Sequence, residues 1–340
     1  MMKQNRVLFI ILLFMSSKAL AVNDRLILTD DPPKRLSEYN FFLNPINQSP
    51  NEQVVPYELI TALFSDYSEK HRFVYVPDGM IALYNDDEVF DFPVGTALIK
   101  TFSYQKTDGS ELLLETRLLL HKDDGWDALT YVWDMNEGDA YLALGGKTID
   151  VRNVITPSNS NYIRYRVPNK NQCKECHLKN DAIEPIGPKP RNINKEIVYR
   201  DDLKRNQIDH WTAMNILQER NYSYDRMVSA FNQNHDLNLR ARSYLDINCG
   251  HCHSPEGSAS SSGLYLSIDD KDFGIYKKPV AAGRGSGGLS YSIVPGYPQE
   301  SILLYRMLSN EPDVMMPESG RTLMHDEAIE LLSEWITEMK

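Results

Sequence analysis

Cysteine is scarce in this chain, with four residues among 340. A small domain held together by disulfides carries far more cysteine than this, so a disulfide scaffold is excluded. The four residues form two pairs, Cys173 with Cys176 and Cys249 with Cys252, and two residues separate the members of each pair. A disulfide between cysteines this close in sequence would not link distant segments of the chain. The pattern therefore indicates that the thiols hold a bound group.

Long apolar runs are also lacking, apart from residues 7–15 near the N-terminus. This run follows Lys3 and Arg6 and precedes the small residues of a cleavage pattern at positions 19–21, as in a secretory signal. It is shorter than the ~20 residues that a membrane-spanning helix needs. We expect residues 1–21 to be removed, which predicts a periplasmic or secreted protein with no membrane span after signal cleavage.

Basic residues are outnumbered, with 36 Lys and Arg against 47 Asp and Glu, for a formal charge of −11. Removal of Lys3, Arg6 and Lys18 with the signal would change that charge from −11 to about −14. Such an acidic chain is not expected to bind nucleic acid or anionic membranes. The charge suits docking on a basic partner protein, and plain solubility explains it equally well.

A histidine directly follows each cysteine pair, at His177 and His253. Cys-x-x-Cys-His is the attachment signature of a c-type haem, in which the thiols bind the porphyrin and the imidazole binds iron. The predicted cofactor is haem c, at Cys249, Cys252 and His253, with a second haem c at Cys173, Cys176 and His177. Each motif could instead hold zinc with one further ligand, and the export signal favours haem.

Met316 is the predicted second iron ligand at the second motif, opposite His253. Methionine commonly completes haem ligation in electron carriers, and Pro317 fixes the chain just after Met316. The neighbouring Met315 is an alternative ligand. Both methionines could also be ordinary core residues, because methionine often fills gaps in a core.

The first motif has no obvious partner methionine. We expect the Pro-Ile-Gly-Pro segment at residues 185–188 to pass the His177 ring and offer a backbone carbonyl to its Nδ1. His210, on a predicted helix, is a candidate distal ligand, and a plain surface histidine is the alternative. An iron held by His177 alone would keep an open position.

Hydrophobic periodicity predicts strands first and helices later. Strands are predicted at residues 73–76, 97–105, 111–121, 129–134, 140–144, 148–154 and 162–167, with a hairpin at Asp108-Gly109. Helices are predicted at residues 57–64, 204–219, 221–233, 236–248, 301–308 and 326–339. The expected fold class is α+β, with an N-terminal all-β sandwich or barrel-like domain followed by a mainly α-helical domain. The expected divisions are a signal peptide at 1–21, a β-rich domain with an extended lead-in at 22–167, a linking helical region with the first motif at 168–235, and the helical domain at 236–340.

The chain resembles a family of exported bacterial cytochrome c-like proteins. The matching runs are residues 241–249, 279–288, 293–296 and 315–317, together with 36–42, 125–126, 131–133 and 172–173. The resemblance implies that a C-terminal cytochrome c-like domain follows a β-rich domain. It also implies that Cys249, Cys252, His253 and Met316 hold a haem. It supplies no substrate and no cytochrome fold around the first motif.

These observations favour an exported c-type cytochrome that carries out electron transfer with a redox partner protein. We expect an electron carrier rather than an enzyme, and no catalytic residue is assigned. Two alternatives stay open. One is a peroxidase-like haem enzyme with an open iron site at the first motif, and the other is a partner-binding module with an accessory haem.

Overall fold

The structure is a computed structural model, which describes residues 20–157, 162–220, 225–270, 280 and 283–339. The strands are β1 Phe42–Asn44, β2 Ser49–Pro50, β3 Val54–Pro56, β4 Glu69–Tyr75, β5 Ala97–Gln105, β6 Glu111–Lys122, β7 Gly125–Asp134, β8 Asp139–Leu142, β9 Lys147–Arg152, β10 Tyr162–Val167, β11 Leu178–Lys179, β12 Ala182–Ile183, β13 Glu196–Val198 and β14 Lys204–Asn206. The α-helices are α1 Arg25–Leu28, α2 Lys170–His177, α3 Pro190–Ile193, α4 Gln207–Ala213, α5 Leu237–Leu245, α6 Ile302–Met307 and α7 Asp326–Glu338. Most of the predicted signal peptide, residues 1–19, lies outside the described residues.

Six antiparallel strands form one sheet in the N-terminal half, in the order β3-β4-β5-β6-β7-β8. Consecutive residues are buried along the central strands β5, β6 and β7, which shows that both faces of the sheet are covered. The hairpin at Asp108-Gly109 joins β5 to β6 as predicted. Gly109 has a φ of 83°, a conformation that favours glycine. The β-rich N-terminal half is therefore confirmed. The sheet itself is open, with β3 and β8 at its edges, and does not close into a barrel.

One face of the sheet is covered by the segment that precedes it. The buried residues of this core include Leu36, Tyr39 and Phe41 from the lead-in and Ile99, Leu118 and Tyr131 from the sheet. Hydrogen bonds from backbone and side chains fix the lead-in, and Asn51 Nδ2 donates to the Asn40 carbonyl at 2.9 Å. The lead-in, expected to be extended, thus forms part of the core.

The opposite face carries two separate hydrophobic patches. In the first, Leu98 packs with Ile193, Ile208 and Trp211 from the region predicted to link two domains. In the second, Phe102 packs with residues of the β9–β10 hairpin. On β5, Lys100 lies on the same face between Leu98 and Phe102.

Helices α5 and α7 pack against each other in the C-terminal part. Their shared core contains Ala241 and Leu245 from α5, and Leu332, Trp335 and Ile336 from α7. Long irregular segments separate α5, α6 and α7 in the described part of the chain. The structure therefore shows a mixed chain, with a sheet in the N-terminal half and short helices joined by loops in the C-terminal part.

Side-chain hydrogen bonds join the two parts. The Asp66 carboxylate accepts the backbone N–H groups of Thr322 and Leu323, each at 2.7 Å. The Asn248 side-chain oxygen accepts the N–H of Phe64 at 2.8 Å. These contacts hold residues 322–323 and the segment before the second motif against the loop that leads into β4.

The predicted helix at residues 57–64 is wrong, because that segment is irregular. Its N–H groups at Ile60 and Thr61 bind the Asn192 side chain, so a distant residue replaces local helical bonds. The predicted helix at 204–219 is shorter than expected and covers only α4. No helix among the described residues combines the length and apolar character of a membrane span.

Candidate functional site

Helix α2 carries the whole first motif. Asn169 caps its N-terminus, because the Asn169 side chain accepts the Gln172 N–H at 2.9 Å and the Gln172 side chain accepts the Asn169 N–H at 3.1 Å. Positions three and four apart share a helix face, so Cys173, Cys176 and His177 point the same way. All three are partly buried, whereas Lys174 and Glu175 between them are exposed.

The His177 ring is fixed by a backbone carbonyl. Its Nδ1 donates to the Glu184 oxygen at 2.8 Å, and the Glu184 N–H donates back to the His177 carbonyl at 2.7 Å. This carbonyl lies one residue before the predicted segment at 185–188. Burial lowers the pKa of His177 to about 4. The imidazole is therefore neutral near pH 7, and Nε2 carries the lone pair that a metal requires.

A cavity of about 130 Å³ lies beside Cys173 and His177. The sheet and the loops around the motif form a largely apolar wall, to which Leu59, Leu63, Leu98, Leu119, Ile186 and Ile247 contribute. Its polar side chains are mainly cationic and include Arg72, Lys100 and Arg117. An apolar wall with several cations suits an amphipathic ligand that carries negative groups.

Three of the four cations that line the cavity form a straight row across the sheet, and the fourth, Lys189, pairs with Glu88 at 3.1 Å. Arg72 on β4 lies opposite Lys100 on β5, and Lys100 lies opposite Arg117 on β6. Burial, followed by the charges of Arg72 and Arg117, lowers the pKa of Lys100 well below its ordinary value. The row is not predicted by either motif. Its signal in the sequence is that Lys100 lies two residues from both Leu98 and Phe102, which places a cation on an apolar strand face.

The second motif begins where α5 ends. Asp236 caps α5 by accepting the Leu239 N–H at 3.1 Å. The helix then widens into one π-helical turn, Asp246–Gly250, which contains Cys249. Cys249 packs against the core shared by α5 and α7, and burial raises the pKa of its thiol to about 12.

His253 also has a fixed and neutral ring. Its Nδ1 shares a hydrogen bond with the Ser262 hydroxyl at 3.2 Å, and burial lowers the pKa of His253 to about 4. The ring therefore resembles that of His177 in both respects.

Met316 lies in a loop that is held on both sides. Its N–H donates to the Arg306 carbonyl at 3.0 Å, and its own carbonyl accepts Nε of Arg321 at 3.1 Å. Met315 is buried, at 8% exposure. The pairing of Met316 with His253 on iron stays a prediction.

The two motifs touch each other, which the sequence did not predict. The sulfurs of Cys176 and Cys252 and a ring nitrogen of His251 lie within 4.8 Å of one another. The Cys252 thiol and the Ser258 hydroxyl also donate to the Glu175 carbonyl, at 3.6 and 3.1 Å. Hydrogen bonding from Cys252, and next from His251, holds the pKa of Cys176 well below its ordinary value although burial opposes this.

His210, the candidate distal ligand, lies elsewhere. Its ring packs on Tyr199, with ring centroids 3.8 Å apart, and it is not among the residues that line the cavity. His177 is the only histidine among the described residues that line this cavity, and no methionine lines it.

Comparison of the chain with protein-family models, with curated proteins and with solved structures gave no match. The resemblance seen in the sequence therefore stays a prediction. The case for a function depends on the two motifs and their surroundings.

Proposed function

We propose that this chain is an exported c-type cytochrome that transfers electrons through haem bound covalently at both motifs. The observation that carries the proposal is the state of the two motif histidines. Both His177 and His253 are neutral, and each has its Nδ1 engaged by an oxygen-bearing group. Such a partner fixes the ring and raises its basicity toward a metal.

The surroundings of the two motifs suit an iron porphyrin. Cys173 and Cys176 would hold it at the first motif, beside an apolar cavity lined with cations. Cys249 and Cys252 would hold it at the second, with Met316 as the proposed ligand opposite His253. Bound haem would supply a one-electron redox couple. The protein's own residues would set its potential through ligation, burial and hydrogen bonding.

The C-terminal part from residue 236 onward is proposed to be a cytochrome c-like domain. Its supports are the motif at the end of α5, the packing of α5 on α7, and the loop that carries Met316 between α6 and α7. Export to the periplasm or the medium, and docking on a basic redox partner, belong to the same proposal.

A pyridine haemochrome assay on the purified mature protein tests the proposal. We expect two covalent haems per chain in the wild type. We expect one in Cys249→Ala/Cys252→Ala and one in Cys173→Ala/Cys176→Ala. A wild-type protein with no covalent haem, made in a host that matures c-type cytochromes, would contradict it.

A peroxidase-like enzyme is the second candidate. It is favoured by the cavity at the first motif, where His177 is the only histidine among the described lining residues. An iron with one protein ligand would bind carbon monoxide when reduced. Carbon monoxide that shifts the spectrum of one haem, together with peroxide turnover lost in Cys173→Ala/Cys176→Ala, would support the enzyme over the carrier.

Zinc is the third candidate, because Cys176, His251 and Cys252 already lie close enough to share one ion. Zinc and covalent haem exclude each other here, since both need the sulfurs of Cys176 and Cys252. Elemental analysis of the purified protein separates them. Stoichiometric zinc in protein that carries no haem would favour the zinc site.

A further inference from the structure

We propose that Arg72 and Lys100, which lie in one row with Arg117, bind the two carboxylates of the porphyrin at the first motif, so that the face of the β-sheet encloses this haem. This inference rests on the proposed function and adds a specific role for the β-rich half of the chain. It concerns residues that lie outside both motifs.

The row of cations is costly in the absence of an anion. Like charges that face each other across neighbouring strands destabilise a sheet. Here Lys100 has a cation directly opposite on both sides, Arg72 on β4 and Arg117 on β6. The Phe102 ring contacts Lys100 and Arg117, at 4.8 and 4.2 Å from its centroid, and offsets part of this repulsion. A negative group beside the row would offset more of it.

The protein itself supplies one carboxylate to this row. Glu115 lies 2.5 Å from the Arg117 guanidinium and also accepts the Tyr165 hydroxyl at 2.6 Å. Within the described part of the chain, Arg72 and Lys100 have no carboxylate within ion-pair distance. Lys189, which also lines the cavity, pairs with Glu88 at 3.1 Å. Arg72 and Lys100 are left over, and they match the two carboxylates of a porphyrin.

Arg72 gives an independent sign of a missing partner. It lines the cavity, its exposure is only 9%, and its Nη2 is buried without a hydrogen-bond partner among the described residues. A buried guanidinium nitrogen left unpaired costs free energy. A carboxylate in the cavity would satisfy it, because carboxylate oxygens accept guanidinium N–H groups well.

The position of the motif agrees with this assignment. Cys173 and His177 line the same cavity as the cations, so a porphyrin held by Cys173 and Cys176 lies within reach of the row. Apart from Lys189 and Asn192, the rest of the wall is largely apolar, as a macrocycle requires and a fully hydrated inorganic anion does not. The cavity therefore favours a ligand with an apolar body and negative ends.

Three variants test the assignment: Lys100→Gln removes one charge, Lys100→Arg keeps it, and Arg164→Gln removes an exposed cation of β10 as a control. Each is measured for covalent haem content, for the potentials of both haems by redox titration, and for its urea midpoint. The urea midpoint is also measured in a Cys173→Ala/Cys176→Ala background, where the first motif holds no haem.

For Lys100→Gln we expect two covalent haems and a lower potential for one haem only, because a nearby cation stabilises the reduced, more negative state. We also expect the urea midpoint to fall in the fully loaded chain. In the background without the first haem, the midpoint should instead rise, because the substitution then only relieves repulsion. Lys100→Arg and Arg164→Gln should behave like the unsubstituted chains.

Unchanged potentials in Lys100→Gln, or a midpoint that moves the same way in both backgrounds, would overturn the assignment while leaving the haems in place. The same fall in potential in Lys100→Arg would overturn it too, because the positive charge is kept in that variant. Inorganic phosphate provides a separate arm. The wild type would then have no haem at the first motif, and phosphate would raise its urea midpoint only when Lys100 is present. This result would make the row an inorganic anion site and would contradict the proposed haem at the first motif.

Discussion

The buried ion pair between Arg191 and Asp246 offers a test of how the second motif is held. The two side chains are 7% and 0% exposed, and the guanidinium contacts both carboxylate oxygens at 2.9 to 3.2 Å. Asp246 also accepts the Ile268 N–H at 3.1 Å, and it begins the π-helical turn that contains Cys249. The substitution Arg191→Met would leave this carboxylate buried without its cation.

Removal of one partner from a buried pair costs about 3–5 kcal/mol, against a total stability of about 5–15 kcal/mol for a typical domain. With a urea slope of roughly 2–3 kcal/mol per molar, the midpoint should fall by roughly 1–2.5 M. Urea unfolding followed by fluorescence measures this. The matched control is Arg205→Met, which breaks an exposed pair with Asp201 and should leave the midpoint nearly unchanged.

The double variant Arg191→Met/Asp246→Leu should recover most of the loss, because an apolar pair of similar volume replaces a buried ion pair at little cost. A urea midpoint that falls no further in Arg191→Met than in Arg205→Met would contradict a stabilising role for the buried pair. A double variant with a lower urea midpoint than Arg191→Met or Asp246→Leu alone would contradict it as well.

Three further outcomes are expected. Burial lowers the pKa of His325 to about 4, below its ordinary 6.5. The free energy of unfolding should therefore fall by about 3 kcal/mol in all as the pH falls from 6.5 to 4. His325→Asn should flatten the pH dependence of the urea midpoint over that range. Asp66→Ala leaves the backbone N–H groups of Thr322 and Leu323 unpaired. It should lower the free energy of unfolding in urea by about 2 kcal/mol or more. An unchanged urea midpoint would contradict a stabilising role for these two hydrogen bonds. Gly257→Ala would place a Cβ 2.3 Å from the Cys252 carbonyl oxygen, so haem content should fall at the second motif only. Gly145→Ala is the control and should leave haem content unchanged, because its Cβ would meet nothing within 4 Å.

The elements that depend on local pattern could be predicted from the sequence. Strands β5 and β10 begin and end at the predicted residues, and α7 lies within one residue of its prediction. Alternation of apolar and polar residues specifies β10, an apolar run that ends at turn residues specifies β5, and an apolar stripe specifies the helix, without reference to distant residues. The segment at 57–64 failed because Asn192, far along the chain, binds its N–H groups.

The motifs could be read from the sequence, but their surroundings could not. Nothing in the spacing of Cys176 and Cys252 indicates that their sulfurs meet, because more than seventy residues of chain separate them. The row of Arg72, Lys100 and Arg117 likewise depends on the register of three strands, and a shift by one residue would turn these side chains to the other face.

The intact mass of the denatured, purified mature chain tests the central claim most directly. Covalent haem survives denaturation, whereas zinc and loosely bound haem do not. We predict a mass that exceeds the polypeptide by two haems, with the added mass mapping to peptides that contain Cys173 with Cys176 and Cys249 with Cys252. A mass equal to that of the polypeptide alone, with all four thiols free to react, would contradict the account.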